Sequence, residues 1–279
     1  MLLEIGVGDA YGAGFEFASK EKVQTHNDLT QYHEHELGIQ AGHYTDDTQM
    51  SLAIAELLIG KTNWTRENIA DKFVECFKRD ERKGYSKGFY AFLRSIDSGA
   101  ELLEKMKPHS TRNGAAMRSA PLGYTADIGE LLSMAELQAS LTHDTVIGIR
   151  SSQAVALASH YFVYNLGAKE NLTEFVSEYS KYTWSDNWAA PVACCGEETV
   201  NALLTVLKSS ESLRDVLVKS VGFCGDVDTV AAVGLGIASL SEEYNPGLPD
   251  FLLSDLENGQ YGKDYLAAIG IQLNEKIVR

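Results

Sequence analysis

The chain has 279 residues, 44% hydrophobic and 23% charged, a globular composition long enough to bury a core, which sets aside disorder and coiled coils. Its 24 Lys and Arg stand against 39 Asp and Glu, a net charge of −15, and so acidic a chain is repelled by phosphate backbones, which excludes general nucleic-acid binding. A small anionic ligand remains admissible where metal ions or helix N-termini receive it.

In chain order, residues 6–17 come first, with Gly6, Gly8, Gly12 and Gly14 among small side chains. No strand pattern precedes them and no βαβ pattern follows, so their weak likeness to a dinucleotide fingerprint is set aside. The expectation is a small-residue helix packed in the core, ending in a loop that carries Glu16. Residues 48–59 follow, with Met50, Ile54, Leu57 and Leu58 on one face and Gly60 as a stop. Thr65 is a good N-cap for a helix over 65–78, whose stripe is Ile69, Phe73, Val74 and Phe77. Similar stripes recur over 129–141, 145–165, 171–182, 195–208 and 210–220. Residues 229–240 are apolar on every side and built from small residues, which suits a helix in the centre of a bundle.

Loops are expected over 38–44, 83–88, 108–123, 184–191 and 244–249, none of them a long Pro/Ser linker. With only 5 Pro and no internal repeat, the chain is expected to be one all-α domain over residues 1–279. Cys76, Cys194, Cys195 and Cys224 have no zinc spacing, and the adjacent pair is too close for an ordinary disulfide, so free thiols in a reducing cytoplasm are expected. The first residues have no basic flank or long apolar run, and no stretch reaches the roughly 18 apolar residues of a membrane span. Neither a signal peptide nor a membrane association is expected.

Chemistry concentrates in two short segments. Thr45-Asp46-Asp47-Thr48 sets two carboxylates and two hydroxyls directly before an amphipathic helix, which taken alone is explained by helix capping and the dipole. Gly225-Asp226-Val227-Asp228-Thr229 repeats the arrangement at the start of the apolar helix. Carboxylates at the mouth of a buried helix are costly unless compensated, and hard divalent cations such as Mg²⁺ or Mn²⁺ compensate them through carboxylate, hydroxyl and water oxygens. Four aspartates and two threonines could hold two such ions if the fold brings the segments together.

With these segments in order, the chain resembles the ADP-ribosylglycohydrolase family, from about Gly6 to about Leu266. The start Gly8, Asp9, Ala10, Gly12, Glu16 is followed by the TDDT box at 45–48. A glycine-rich loop follows, Asn113-Gly114-Ala115-Ala116-Met117-Arg118, ending in Ala120-Pro121-Leu122-Gly123. Thr142-His143 precedes a helix, and the GDxDT box lies at 225–229. The resemblance implies an all-α orthogonal multi-helix bundle with a binuclear Mg²⁺ centre in a cleft. By position the implied ligands are Thr45, Asp46, Asp47, Asp226, Asp228 and Thr229, all present, and Glu16 falls where some members carry a flap glutamate near the scissile bond. Cys224 and Val227 depart from the usual second box, and the segment from Gly84 to Phe89 replaces a more glycine-rich loop, which bears on substrate identity.

The implied reaction cleaves the bond from the anomeric carbon of ADP-ribose to a protein side chain or small molecule. Glu16 is the first candidate for proton transfer, then Asp47 or Asp226. Asn113, Gly114 and Ala115 offer backbone N–H groups to a diphosphate. Met117 belongs to the same loop. Arg118 could meet phosphate or form an internal ion pair. His143 could contact ribose or diphosphate, or cap a helix. One of Tyr85, Phe89, Tyr124, Trp184 and Trp188 could stack on adenine, although core packing explains any one of them more simply. His26, His33, His35 and His43 are expected in solvated loops, with the cluster from His33 to His43 able to line the flap, and Cys194 and Cys195 as buried small residues. A cytoplasmic monomer acting on ADP-ribosylated proteins or small molecules is the expectation. A Mg²⁺-dependent phosphohydrolase and a non-catalytic structural relative are the alternatives.

Overall fold

A computed structural model of the chain describes residues 1–60 and 62–277. Its helices are α1 (Leu2–Ala13), α2 (Lys20–His26), α3 (Asp46–Ile59), α4 (Arg66–Arg79), α5 (Lys87–Arg94), α6 (Gly99–Lys105), α7 (Gly114–Met117), α8 (Ile128–Ser140), α9 (Val146–Val163), α10 (Leu172–Ser180), α11 (Gly196–Ser209), α12 (Leu213–Gly222), α13 (Val227–Ala238), α14 (Phe251–Ser254) and α15 (Lys263–Ile277). Short 3₁₀ turns occupy Ala120–Tyr124 and Lys169–Asn171, and among the described residues β-pairing is limited to isolated bridges. The all-α expectation holds. No helix among the described residues is long and apolar enough to cross a membrane.

Helix starts follow local chemistry. The Thr65, Ser98, Asp127, Thr145 and Ser212 side chains each accept a backbone N–H three residues on, satisfying donors that the first turn leaves free. The expected stripes appear as helices displaced by a few residues at most. Shorter helices arose where loops or nothing were expected: α5 begins inside 83–88 and α7 inside 108–123. Their apolar signal is thin, since α2 fully buries only Val23 and α5 only Leu93.

The centre is built on α1 and α13, which pack along each other, with α12, α11, α9, α3 and α15 around them. Almost every residue of α1 and every residue of α13 is buried. Their backbones approach this closely because glycine leaves the space. A Cβ on Gly8 would lie 2.3 Å from the Ala231 carbonyl oxygen, and one on Gly12 would lie 2.5 Å from Cα of Asp228. On the facing helix, a Cβ on Gly236 would lie 2.4 Å from Cγ1 of Ile5. One continuous apolar core runs from Leu2 in α1 to Leu273 in α15.

Gly12→Val should therefore lower unfolding free energy by about 1–3 kcal/mol or more, as overpacking against backbone does. Gly222→Ala, with nothing within 4 Å of the new Cβ, should stay within about 0.5 kcal/mol of wild type in the same urea titration.

Candidate active site at the starts of two buried helices

The α1–α13 contact places Asp9, on α1, against the start of α3. Its carboxylate accepts four hydrogen bonds: from the Thr45 N–H at 2.9 Å, the Thr48 N–H at 2.9 Å, the Thr45 hydroxyl at 2.8 Å and the Thr48 hydroxyl at 2.6 Å. Helix α3 is thus capped from another helix, while Thr45 makes no side-chain cap of its own. Capping is real here, but it consumes Asp9 and leaves Asp46 and Asp47 free to face the cleft.

At the second helix start, Gly225 turns the chain with φ of +89°, and a Cβ there would sit 2.0 Å from the Val192 carbonyl oxygen. That carbonyl accepts the Asp226 N–H at 2.8 Å, and the Gly225 carbonyl accepts the Phe17 N–H at 2.8 Å. The same turn therefore anchors both the Asp226 backbone and the loop that carries Glu16. The Asn113 side-chain amide donates to Asp226 Oδ2 at 2.8 Å and to the Thr229 hydroxyl at 3.1 Å, and lies 3.2 Å from the Thr199 hydroxyl. Asn113 was expected to serve through its backbone; its side chain instead ties the loop before α7 to the second acidic box.

The two boxes, distant in sequence, share the floor of a cleft of about 730 Å³. Carboxylate oxygens of Glu16, Asp226 and Asp228 lie within 4.8 Å of one another, and so do those of Asp9, Asp47 and Asp228. Burial, with the neighbouring acids, drives the Asp46, Asp47 and Asp228 carboxyls well above the usual range. Burial likewise raises Asp9 to about 6, against the pull of its four donors. Asp47 Oδ1 is buried with no hydrogen-bond partner. An oxygen-rich acidic floor with an orphaned carboxylate oxygen fits a hard divalent cation. Asp9 fits one poorly, because four donors already occupy both of its oxygens.

Glu16, Asp46, Asp47, Asn113, Gly114, Met117, Arg118, His143, Asp226, Asp228 and Thr229 all line this cleft. Thr45 stands behind it, donating its hydroxyl to Asp9, and Ala115 is fully buried, its carbonyl accepting from Ser119 and Gln138. Arg118 makes no internal ion pair among the described residues. Its guanidinium donates to the Gln138 side chain and backbone and to the Thr142 hydroxyl at 2.8 Å, and stacks 4.5 Å from the Phe73 ring centroid. Burial lowers its pKa to about 9, so it is still a cation at neutral pH. The Thr142 hydroxyl, taking that hydrogen bond, lies 2.7 Å from His143 Nδ1. Burial and the Arg118 and Arg112 charges push His143 down to about 3. A neutral ring accepting at Nδ1 carries its proton on Nε2.

Of the candidate aromatics, Tyr85 and Phe89 line the cleft, and Tyr124, Trp184 and Trp188 lie elsewhere. Two expectations need correction. His35 is buried in the cleft wall, in keeping with the flap alternative and not the solvated one, and Cys194 and Cys195 are both half-buried, the Cys194 thiol in the cleft wall being raised to about 12 by burial and the Asp226 carboxylate. The role of Asp9 was also missed: it stands within the family-like start, but nothing local showed that this acid in the buried part of α1 caps another helix.

An ADP-ribosylglycohydrolase family model matches residues 2–278. The chain belongs to the ADP-ribosylglycohydrolase family. It is a glycohydrolase of the ADP-ribosyl hydrolase class. It is similar to the ADP-ribosyl-[dinitrogen reductase] glycohydrolase of Rhodospirillum rubrum, 25% identical over 83% of this chain and 80% of that one. An uncharacterized protein of Archaeoglobus fulgidus is 26% identical over 89% of this chain and 90% of its own. The ADP-ribosylhydrolase ARH3 of Gallus gallus is 29% identical, but the match covers 47% of this chain and only 38% of that protein. A solved ADP-ribosylglycohydrolase-related protein complex, 21% identical, superposes with a TM-score of 0.76 over 99% of this chain and 96% of that one, and shares the fold.

Asp9→Ala would strand the buried N–H groups of Thr45 and Thr48, at about 1–3 kcal/mol. The folded Asp9 value of about 6 lies above the roughly 3.9 of an unfolded carboxyl. Its contribution to the metal-free protein is therefore full below about pH 4 and lost as pH rises through about 6. Urea unfolding in EDTA should show a shallower fall in stability across that window for Asp9→Asn than for wild type.

Proposed function

We propose that this ADP-ribosylglycohydrolase is a divalent-cation-dependent hydrolase that cleaves the bond between the anomeric carbon of ADP-ribose and a protein side chain or related conjugate, releasing ADP-ribose. One observation carries the reading: Asp46 and Asp47 from one helix start, Asp226 and Asp228 from another, and Glu16 from a loop all face a single cleft. Thr45, Asp46, Asp47, Asp226, Asp228 and Thr229 are the candidate ligands for two Mg²⁺, with Mn²⁺ also suited to the oxygen donors. The ions would supply positive charge to the vicinal hydroxyls of the distal ribose and to water.

The chain's own residues divide the remaining work. Glu16 is the candidate for moving a proton as the glycosidic bond takes on oxocarbenium character, with Asp47 or Asp226 next. Asn113 holds Asp226 and Thr229 in place through their side-chain oxygens. The acidic floor disfavours a diphosphate beside it, so the diphosphate would lie toward Arg118, the His143 Nε2–H and the first-turn amides of α7. Lys105, Lys107 and Arg112 line the same cleft and add positive charge in an otherwise acidic chain. Tyr85 and Phe89, with ring centroids 5.8 Å apart, offer an apolar wall for adenine.

Incubating the protein with arginine- and serine-linked ADP-ribosyl substrates, with and without Mg²⁺, tests the reading and identifies the linkage. Asp46→Ala and Asp228→Ala should each abolish ADP-ribose release while circular dichroism stays helical. Full turnover after exhaustive EDTA treatment would refute the cation dependence. Glu16→Gln should lower kcat by roughly 10²–10⁴-fold with ADP-ribose affinity nearly unchanged, since the expected loss is that of a positioned acid or base.

A further inference from the structure

The cleft wall beside Glu16 contains a histidine that the proposed reaction does not use. We infer that His35 is a positioning residue for Glu16, holding its carboxylate over the acidic floor through an Nε2–H donor fixed by the backbone of its own loop. The inference rests on the reading of Glu16 as the proton-transfer group.

His35 Nε2 lies 2.7 Å from Glu16 Oε2, and both side chains are largely buried. The Leu37 N–H donates to His35 Nδ1 at 2.8 Å. With Nδ1 accepting, the single ring proton sits on Nε2 and points at the carboxylate. Its orientation is set by a closed loop: the His35 N–H donates to the Ile39 carbonyl at 3.1 Å, and the Gly38 N–H to the His35 carbonyl at 2.9 Å. Gly38, at φ of +71°, supplies the left-handed turn. Lys83 Nζ then clamps the Leu37 and Gly38 carbonyls, each at 3.0 Å. The next residue, Gly84, packs so closely on Asp46 that a Cβ would lie 2.1 Å from Asp46 Oδ1. The loop that aims His35 is thus referenced to the acidic floor itself.

Glu16 needs such a hold. It follows α1 on a loop, with a carboxylate oxygen within 4.8 Å of those of Asp226 and Asp228, and among the described residues its carboxylate is hydrogen-bonded only by His35. The backbone is already pinned, because Phe17 adopts φ of +51° and donates its N–H to the Gly225 carbonyl at 2.8 Å. Only the side chain is left to fix, and ordering a glutamate costs rotamer freedom that a single strong donor can offset. Because His35 takes Oε2, Oε1 is the oxygen left to meet a reacting proton.

The test compares two side chains of similar size and opposite donor capacity. On the full chain with a serine- or arginine-linked ADP-ribosyl peptide, His35→Met should lower kcat about 10- to 100-fold, as loss of an outer hydrogen-bond partner does, with KM and the Kd for ADP-ribose unchanged. His35→Gln, which keeps an N–H near the Nε2 position, should recover most of that loss. In a Glu16→Gln background, His35→Met should cost nothing further, because its effect runs through Glu16. Equal losses for Met and Gln, or a further loss in the Glu16→Gln background, would overturn the assignment while leaving the role of Glu16 intact. Near wild-type turnover of Glu16→Gln would overturn the role of Glu16, and this inference with it. A ¹⁵N spectrum of the wild-type imidazole gives an activity-free check: a bare Nδ1 and protonated Nε2 are expected, and the opposite tautomer would refute the geometry even if a variant failed to fold.

Discussion

The close approach of α1 and α13 is the constraint on which the rest of the molecule depends. Two helices can lie backbone to backbone only where side chains are missing, and Gly8 and Gly12 remove them at the points where Ala231 and Asp228 press in. The reward is geometric. Asp9, one residue beyond Gly8, arrives at the start of α3 from inside the core, while the start of α13 arrives beside it. Asp46 and Asp47 thereby share one cleft floor with Asp226 and Asp228, which lie far off in the chain.

That floor is electrostatically costly, and the fold offsets the cost unevenly. Asp9 is buried, but four donors occupy its oxygens, so its charge is spread over the first turn of α3. Asp226 has the Asn113 amide, and Asp228 accepts the Thr229 N–H at 2.9 Å. Asp47 retains an oxygen with no partner at all. Helix N-termini favour negative charge by less than about 2 kcal/mol each, whereas an uncompensated buried carboxylate costs several. The imbalance sits at the cleft rather than in the core, where strain is retained when a ligand relieves it.

The acidic boxes were legible in the sequence because their chemistry is local: two carboxylates beside a hydroxyl at a helix start can be recognised without knowing what they face. The long helices were legible for the same reason, since a 3.6-residue stripe is a local property. Asp9 was not, because its partners are Thr45 and Thr48, a third of the way to the chain's midpoint and on another helix. The Thr45 hydroxyl likewise donates its proton to Asp9, which leaves only its lone pairs for a ligand. The placement of His35, read as either solvated or lining the flap, and of Cys194 was harder to read for a different reason: each lies in an irregular segment where no periodicity separates a buried side chain from a solvated one. Arg118 shows a third kind of limit. A phosphate contact and an internal ion pair were equal alternatives, and the guanidinium instead donates through Nε and Nη2 to Gln138 and Thr142 and stacks on the face of Phe73.

Around the cleft the backbone changes character from one side to the other. The floor is carried by α3 and α13, whose first turns are locked into the core. The facing wall is carried by loops with left-handed residues at Phe17, Gly38 and Gly84, and by exposed apolar side chains, Phe17 at 57% and Leu37 at 64%. On the proposed reading, an acidic floor set in the core suits a moiety that every substrate would share, the ribose next to the scissile bond. A wall of loops can change length and side chains without moving that floor, and the departures of this chain from the family pattern include one such segment, from Gly84 to Phe89. On the proposed reading, the physical division between floor and wall would also separate the groups that do the chemistry from the groups that would select the leaving group. Glu16 stands at the junction, with its backbone tied to the turn before α13 and its carboxylate held by the loop of His35.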